Sequence, residues 1–143
     1  MNYISAKEFS SKPENVKKAL IDLWKISEYD LVERVDYAPD TNTCSHESYR
    51  SENKSVGCLR RFKTKCIINN SSYVPLFTEG QLRDFIEEKT NGTVNVEACF
   101  DAEDNKFYRV GVMLKANCWT KYEAKSKTLI EAYWNLICDI VSE

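Results

Sequence analysis

The stretch VPLFTEGQLRDFIEEKTNG, residues 74–92, contains a helix start, a helix body and a helix stop. Thr78 is placed to cap a helix, and Gln81 three residues on is placed to answer it. In such a capping box each side chain accepts the other residue's otherwise unpaired backbone N–H. Phe77 and Leu82 have the spacing of a hydrophobic staple across that cap. Leu82, Phe85 and Ile86 form a single apolar stripe, and Asn91-Gly92 offers the left-handed exit on which helices end. Gly80 in the first turn weakens the helix by up to ~1 kcal/mol relative to Ala, which suggests a close backbone approach there.

Moving toward the carboxyl end, the period changes from helical to two. TVNVEACF (93–100) alternates, with Val94, Val96, Ala98 and Phe100 on one side. DAEDNK is a polar turn, and KFYRVGVMLKANCW alternates again through Val110, Val112 and Leu114. WTKYEAKS either continues that strand or returns as another. TLIEAYWNLICDIVSE then repeats the capped-helix device: Thr128 caps, Glu131 completes the box, and Ile130, Tyr133, Trp134, Ile137, Ile140 and Val141 line one face. So apolar a helix belongs against a sheet.

On the amino-terminal side, SKPENVKKALIDLWKI reads as a helix opened by a Ser11–Glu14 capping box, with Pro13 in the first turn. Val16, Ala19, Leu20, Leu23 and Trp24 lie on its core face. YDLVERVDY reads as a strand. CLRRFKTKCII alternates Cys58, Phe62, Cys66 and Ile68 against Arg61, Lys63 and Lys65. Between them, residues 38–57 form a long polar connection, of the kind that is functional or disordered. The expected architecture is α+β: an antiparallel sheet with an N-terminal helix and two later helices packed on it, in a single domain spanning 1–143.

Composition limits the function classes. The 143 residues are 43% hydrophobic and 12% aromatic, enough for a packed globule. The formal charge of −2 gives no general pull toward nucleic acid. No apolar run reaches membrane-spanning length, and MNYISAKEF lacks the basic and apolar regions of a secretory leader. A cytoplasmic protein with no membrane contact is expected. The six cysteines are then small buried hydrophobes rather than disulfides.

Candidate chemistry is sparse. Cys44 and His46 are two residues apart in a polar loop, a spacing that neither orients a base nor lowers a thiol pKa. DAEDNK lacks the central glycine and distal glutamate of a calcium loop. Glycines at 57, 80, 92 and 111 cannot form a phosphate cradle. No catalytic residue, metal site or cofactor is expected, and the protein reads as a non-enzyme. Two charged groups remain as candidate binding residues. An acidic strip holds Glu28, Asp30, Glu33 and Asp36 and could meet a basic surface; its bland alternative is a solvated face. A basic cluster holds Arg60, Arg61, Lys63 and Lys65 and could touch phosphates; its bland alternative is a charge-protected edge strand.

The segments VPLFTEGQLRDFIEEKTN and LIEAYWNLICDI, with Trp24 in the first helix, resemble a family of small proteins encoded by phages and prophages of Gram-positive bacteria. The resemblance covers about half the chain and leaves out 38–73. It supplies no catalytic residues. It implies a phage-encoded, non-enzymatic inhibitor in the host cytoplasm that binds and blocks a host defence protein or ribonucleoprotein complex, an anti-CRISPR protein being the sharpest version. The alternatives are a sponge for a small nucleotide signal, whose pocket would need aromatics with Arg or Lys, and a nucleic-acid-binding accessory protein using the 60–65 cluster. Homo-oligomerisation is open.

Overall fold

The structure is a computed structural model that describes residues 2–27, 30–34, 47–50, 56–59, 73–114 and 122–143. The elements in chain order are α1 (Ala6–Ser10), α2 (Glu14–Leu23), β1 (Leu31–Arg34), β2 (Glu47–Arg50), β3 (Val56–Leu59), β4 (Tyr73–Pro75), α3 (Glu79–Thr90), β5 (Thr93–Phe100), β6 (Lys106–Met113), β7 (Glu123–Ser126) and α4 (Leu129–Ser142). This is an α+β fold with antiparallel strands. The strands divide between two sheets, ordered β2-β3-β1-β4 and β5-β6-β7. Residues Ser5–Lys12 and Lys25–Phe77 make one compact unit; Met1–Ile4, Pro13–Trp24 and Thr78–Glu143 make the other.

In the first unit β1 pairs antiparallel with β3 through Leu31–Cys58 and with β4 through Val32–Pro75. Pro75, which has no N–H to give a neighbour, sits in a strand at the sheet's edge, where that loss is tolerated. Helix α1 is a single turn closed by a capping box of its own, Ser5 with Glu8. Its Phe9 meets Phe77 edge-to-face at 5.9 Å. The polar 38–57 connection is corrected here: Glu47–Arg50 is a strand that pairs with β3. Polar alternation on an edge strand leaves too little apolar signal to reveal it.

In the second unit the capped-helix readings hold for α3 and in part for α4. Thr78 and Gln81 exchange both bonds of the box, and Asn91 closes α3 in the left-handed conformation at φ 53°. Thr128 caps α4, but the Glu131 carboxylate accepts the Ser126 hydroxyl at 2.7 Å and leaves the box half made. Helix α2 is not opened by Ser11. Its N-cap is Pro13, without a side-chain bond, while the Ser11 hydroxyl donates to the Glu8 carbonyl at 2.7 Å behind α1. The upstream Ser5–Glu8 box claims the chain first and turns Ser11 into a helix ending.

Helices α3 and α4 pack on each other and on the three-stranded sheet, and α2 packs on α4. The core runs through Val16, Leu20, Leu82, Ile86, Val110, Val112, Leu136 and Ile137, all 2% exposed or less. Gly80 does not permit a close approach: a Cβ there would meet open space. Gly92 does. A Cβ on Gly92 would lie 2.6 Å from Val112 Cγ1 and 2.8 Å from the Met113 carbonyl oxygen, so the α3–β5 corner closes only on glycine.

Candidate functional site

β5 and β6 pair residue for residue from Thr93–Met113 to Phe100–Lys106, and β7 continues the sheet through Arg109–Lys125 and Val110–Ala124. This register sorts the side chains by face. One face carries Val94, Val96, Ala98 and Phe100 beside Tyr108, Val110 and Val112. Burial on it falls away toward the hairpin turn. Val94 is 6% exposed, Val96 is 38% and Phe100 is 66%. The alternation therefore gives the right face, and its cover decreases from Val94 toward Phe100.

The other face carries a ladder of charge. Glu97 stands opposite Arg109, whose guanidinium is 2.6 Å from the Glu123 carboxylate and 3.7 Å from Glu97. Lys125 completes the ladder at 3.7 Å from Glu123. The bond from Arg109 holds the Glu123 carboxyl below the usual range, and the same bond raises Arg109. These charges are balanced among themselves.

The turn between β5 and β6 uses its acids structurally. The Asp101 carboxylate accepts the N–H groups of Glu103 at 2.8 Å and Asn105 at 2.9 Å, and Asp104 takes the left-handed conformation. The Asn105 backbone N–H is the main reason that Asp101 stays ionised below the ordinary carboxylate range. DAEDNK is thus the hairpin turn, and no group of three or more metal-ligating side chains gathers among the described residues.

Beside this turn, where β6 begins and β7 ends, is a groove of about 540 Å³. Lys106, Lys125 and Lys127 line it with Phe107, Ser126, Asn105 and Asp101. The Lys106 ammonium lies 5.0 Å from the Tyr108 ring centroid, a cation–π distance that steadies it. The lining holds three lysines against one aspartate, although the Lys125 ammonium also lies 3.7 Å from Glu123 and the Asp101 carboxylate is already bonded by the turn. The groove suits an anion.

Of the residues singled out from sequence, Asp30 and Glu33 are among the described residues, and neither lines this groove. Asp30 accepts the Ser27 N–H at 2.9 Å and the Ser27 hydroxyl at 3.2 Å, so it is tied into local structure. Glu33 lies inside the first sheet, paired with Val56 and Val74. Glu28, Asp36, Arg60, Arg61, Lys63 and Lys65 lie outside the described residues, as do Cys44 and His46. Cys99 and Cys138 are thiols, Cys138 buried. Lys125 and Lys127 are legible as a period-two pair in EAKSK. Lys106 joins them only through the strand register, which sequence spacing does not supply.

No family model matches the chain, and comparison with curated proteins and with solved structures gives no match. No helix among the described residues is long and apolar enough to cross a membrane.

Proposed function

We propose that this chain is a non-enzymatic binding protein, encoded by a phage, that blocks a host defence factor in the host cytoplasm, with an anti-CRISPR protein as its sharpest form. The phage assignment rests on the sequence resemblance. The observation that supports binding is the lysine-lined groove of Lys106, Lys125 and Lys127 beside Phe107. Its partner feature is anionic: an acidic protein segment, or the exposed phosphates of a ribonucleoprotein. The test reverses all three lysines to Glu and follows phage plating on defended cells together with co-purification of host proteins. Loss of both, with the circular dichroism spectrum unchanged, is the expected result. Full protection by the reversed protein would remove the groove from the mechanism.

A second reading, sequestration of a small nucleotide signal, is favoured by the same groove, whose lining includes an aromatic residue and three lysines. Calorimetry with linear and cyclic nucleotides separates the two. Tight, salt-sensitive nucleotide binding without a co-purifying protein would replace the first reading with the second.

A further inference from the structure

Among the described residues strand β5 is an end strand of its sheet, and its outer edge is open in a specific way. The Val94 N–H donates to the Glu87 carboxylate at 3.1 Å, so it points away from β6. The Asp101 N–H donates to the Asn105 carbonyl at 3.0 Å, so it points inward. Backbone groups alternate sides along a strand. Even-numbered residues of β5 therefore direct N–H and C=O outward, and odd-numbered residues direct them to β6. Glu87 caps the Val94 N–H. Among the described residues nothing caps the outward groups of Val96, Ala98 and Phe100, and all three residues are exposed.

Proteins protect such edges with lysine, proline, bulges or short strands. β5 has none of these: it runs for eight residues in unbroken register with β6, and Glu97 is its only charge. Two large apolar side chains, Val96 and Phe100, stand exposed on one face of this same edge.

We infer that β5 is a self-pairing edge, and that two copies of this chain join antiparallel across a two-fold axis at Ala98 to make one continuous six-stranded sheet. The choice of a second copy follows from register. Centred on Ala98, the pairing sets Ala98 against Ala98 and Val96 against Phe100 of the other copy. The outward N–H and C=O groups of Val96, Ala98 and Phe100 are then all used, and the Val94 N–H already satisfied by Glu87 is left alone. Each exposed apolar residue covers the other's partner, the self-complementarity that an isologous contact requires. The small Ala98 side chain sits at the axis. Glu97 faces Cys99 rather than its own copy.

Three neighbouring registers fail on the same observations. Centring on Glu97 opposes two carboxylates at the closest cross-strand spacing, about 4.5 Å between Cα atoms. Centring on Val96 demands the Val94 N–H that Glu87 holds. Centring on Phe100 runs the pairing into the turn at Asp101. The pairing uses none of the groove's three lysines, so it goes beyond the function proposed above and does not depend on it.

The register gives the test its specificity. Glu97 and Cys99 of the two copies form a non-hydrogen-bonded pair, whose Cα spacing of about 4.5 Å lies within disulfide range. Glu97→Cys should yield a covalent dimer with native Cys99 under mild oxidation. That dimer should be lost on adding Cys99→Ser and should be at least tenfold weaker in an Asn95→Cys control. By sedimentation equilibrium the full-length protein should show twice the mass of one chain at tens of micromolar. Ala98→Pro, which removes an outward donor that β6 does not use, should shift it to monomer. Should Ala98→Pro disturb folding, Phe100→Lys on the exposed surface should give the same shift. A wild-type monomer throughout the concentration range would overturn the inference. So would a dimer in which the Glu97→Cys variant forms no disulfide with Cys99.

Discussion

Glu87 reaches from α3 across the corner to the first outward N–H of β5, accepting the Val94 N–H at 3.1 Å while pairing with Arg83 at 3.3 Å. One carboxylate thus fixes where the strand leaves the helix. Glu87→Ala is expected to cost about 1–2 kcal/mol in urea unfolding, in the range for a charge-assisted bond to a backbone donor. Glu87→Gln, which keeps an acceptor, should cost less. Amide exchange separates this from a general loss of stability, because the Val94 N–H should speed up more than its neighbours Asn95 and Glu97.

The two glycines near α3 should respond in opposite directions. Gly92→Ala forces a Cβ into Val112 and into a backbone carbonyl, and should destabilise by about 1–3 kcal/mol, as overpacking does. Gly80→Ala adds a methyl to open space in a helix and should stabilise by up to ~1 kcal/mol. Thermal melts of the pair check this directly. Equal effects of one sign would contradict the geometry at the corner.

Trp134 is 3% exposed on the face of the most apolar helix. Truncation to Ala is expected to destabilise by ~3–5 kcal/mol, the range for a buried aromatic. A near-wild-type denaturation midpoint would place Trp134 on a surface instead.

Acid should act partly through Glu123. Its folded-state carboxyl titrates below the ordinary value of 4.5 because Arg109 donates to it. The stabilisation is therefore fully present above about pH 4.5 and is lost as pH falls through the folded value. Glu123→Gln should flatten the stability curve in that acid window and leave its alkaline side unchanged. The pair is exposed and the gain correspondingly modest. High salt should shrink the difference between the two proteins.

Much of this architecture is legible in the residues. Thr78–Gln81, Asn91 and the alternation of 93–100 locate a helix, its exit and a strand with its correct face, because local hydrogen bonding and side-chain period are written in neighbouring positions. Ser11 misleads for the same reason: its capping signal is genuine, but Ser5–Glu8 upstream uses the chain first. The strand at 47–50 is hidden by its polarity. The groove is hidden by distance, since its lining combines the start of β6 with the end of β7, which are neighbours only once the strands pair. Asp30 shows the reverse case. A carboxylate that looks available in an acidic strip is engaged by Ser27.

The packing of α2 on α4 joins two elements far apart in sequence and sets a schedule for synthesis. α2 leaves the ribosome with Val16 and Leu20 on its apolar side, well before α4 is made. At 5–20 residues per second, the roughly 100 residues between them take on the order of 5–20 s. During that interval α2 has no finished partner to bury against, and a ribosome stalled before residue 129 displays an uncovered amphipathic helix. Nascent chains of this protein should therefore be clients of ribosome-associated chaperones until α4 emerges.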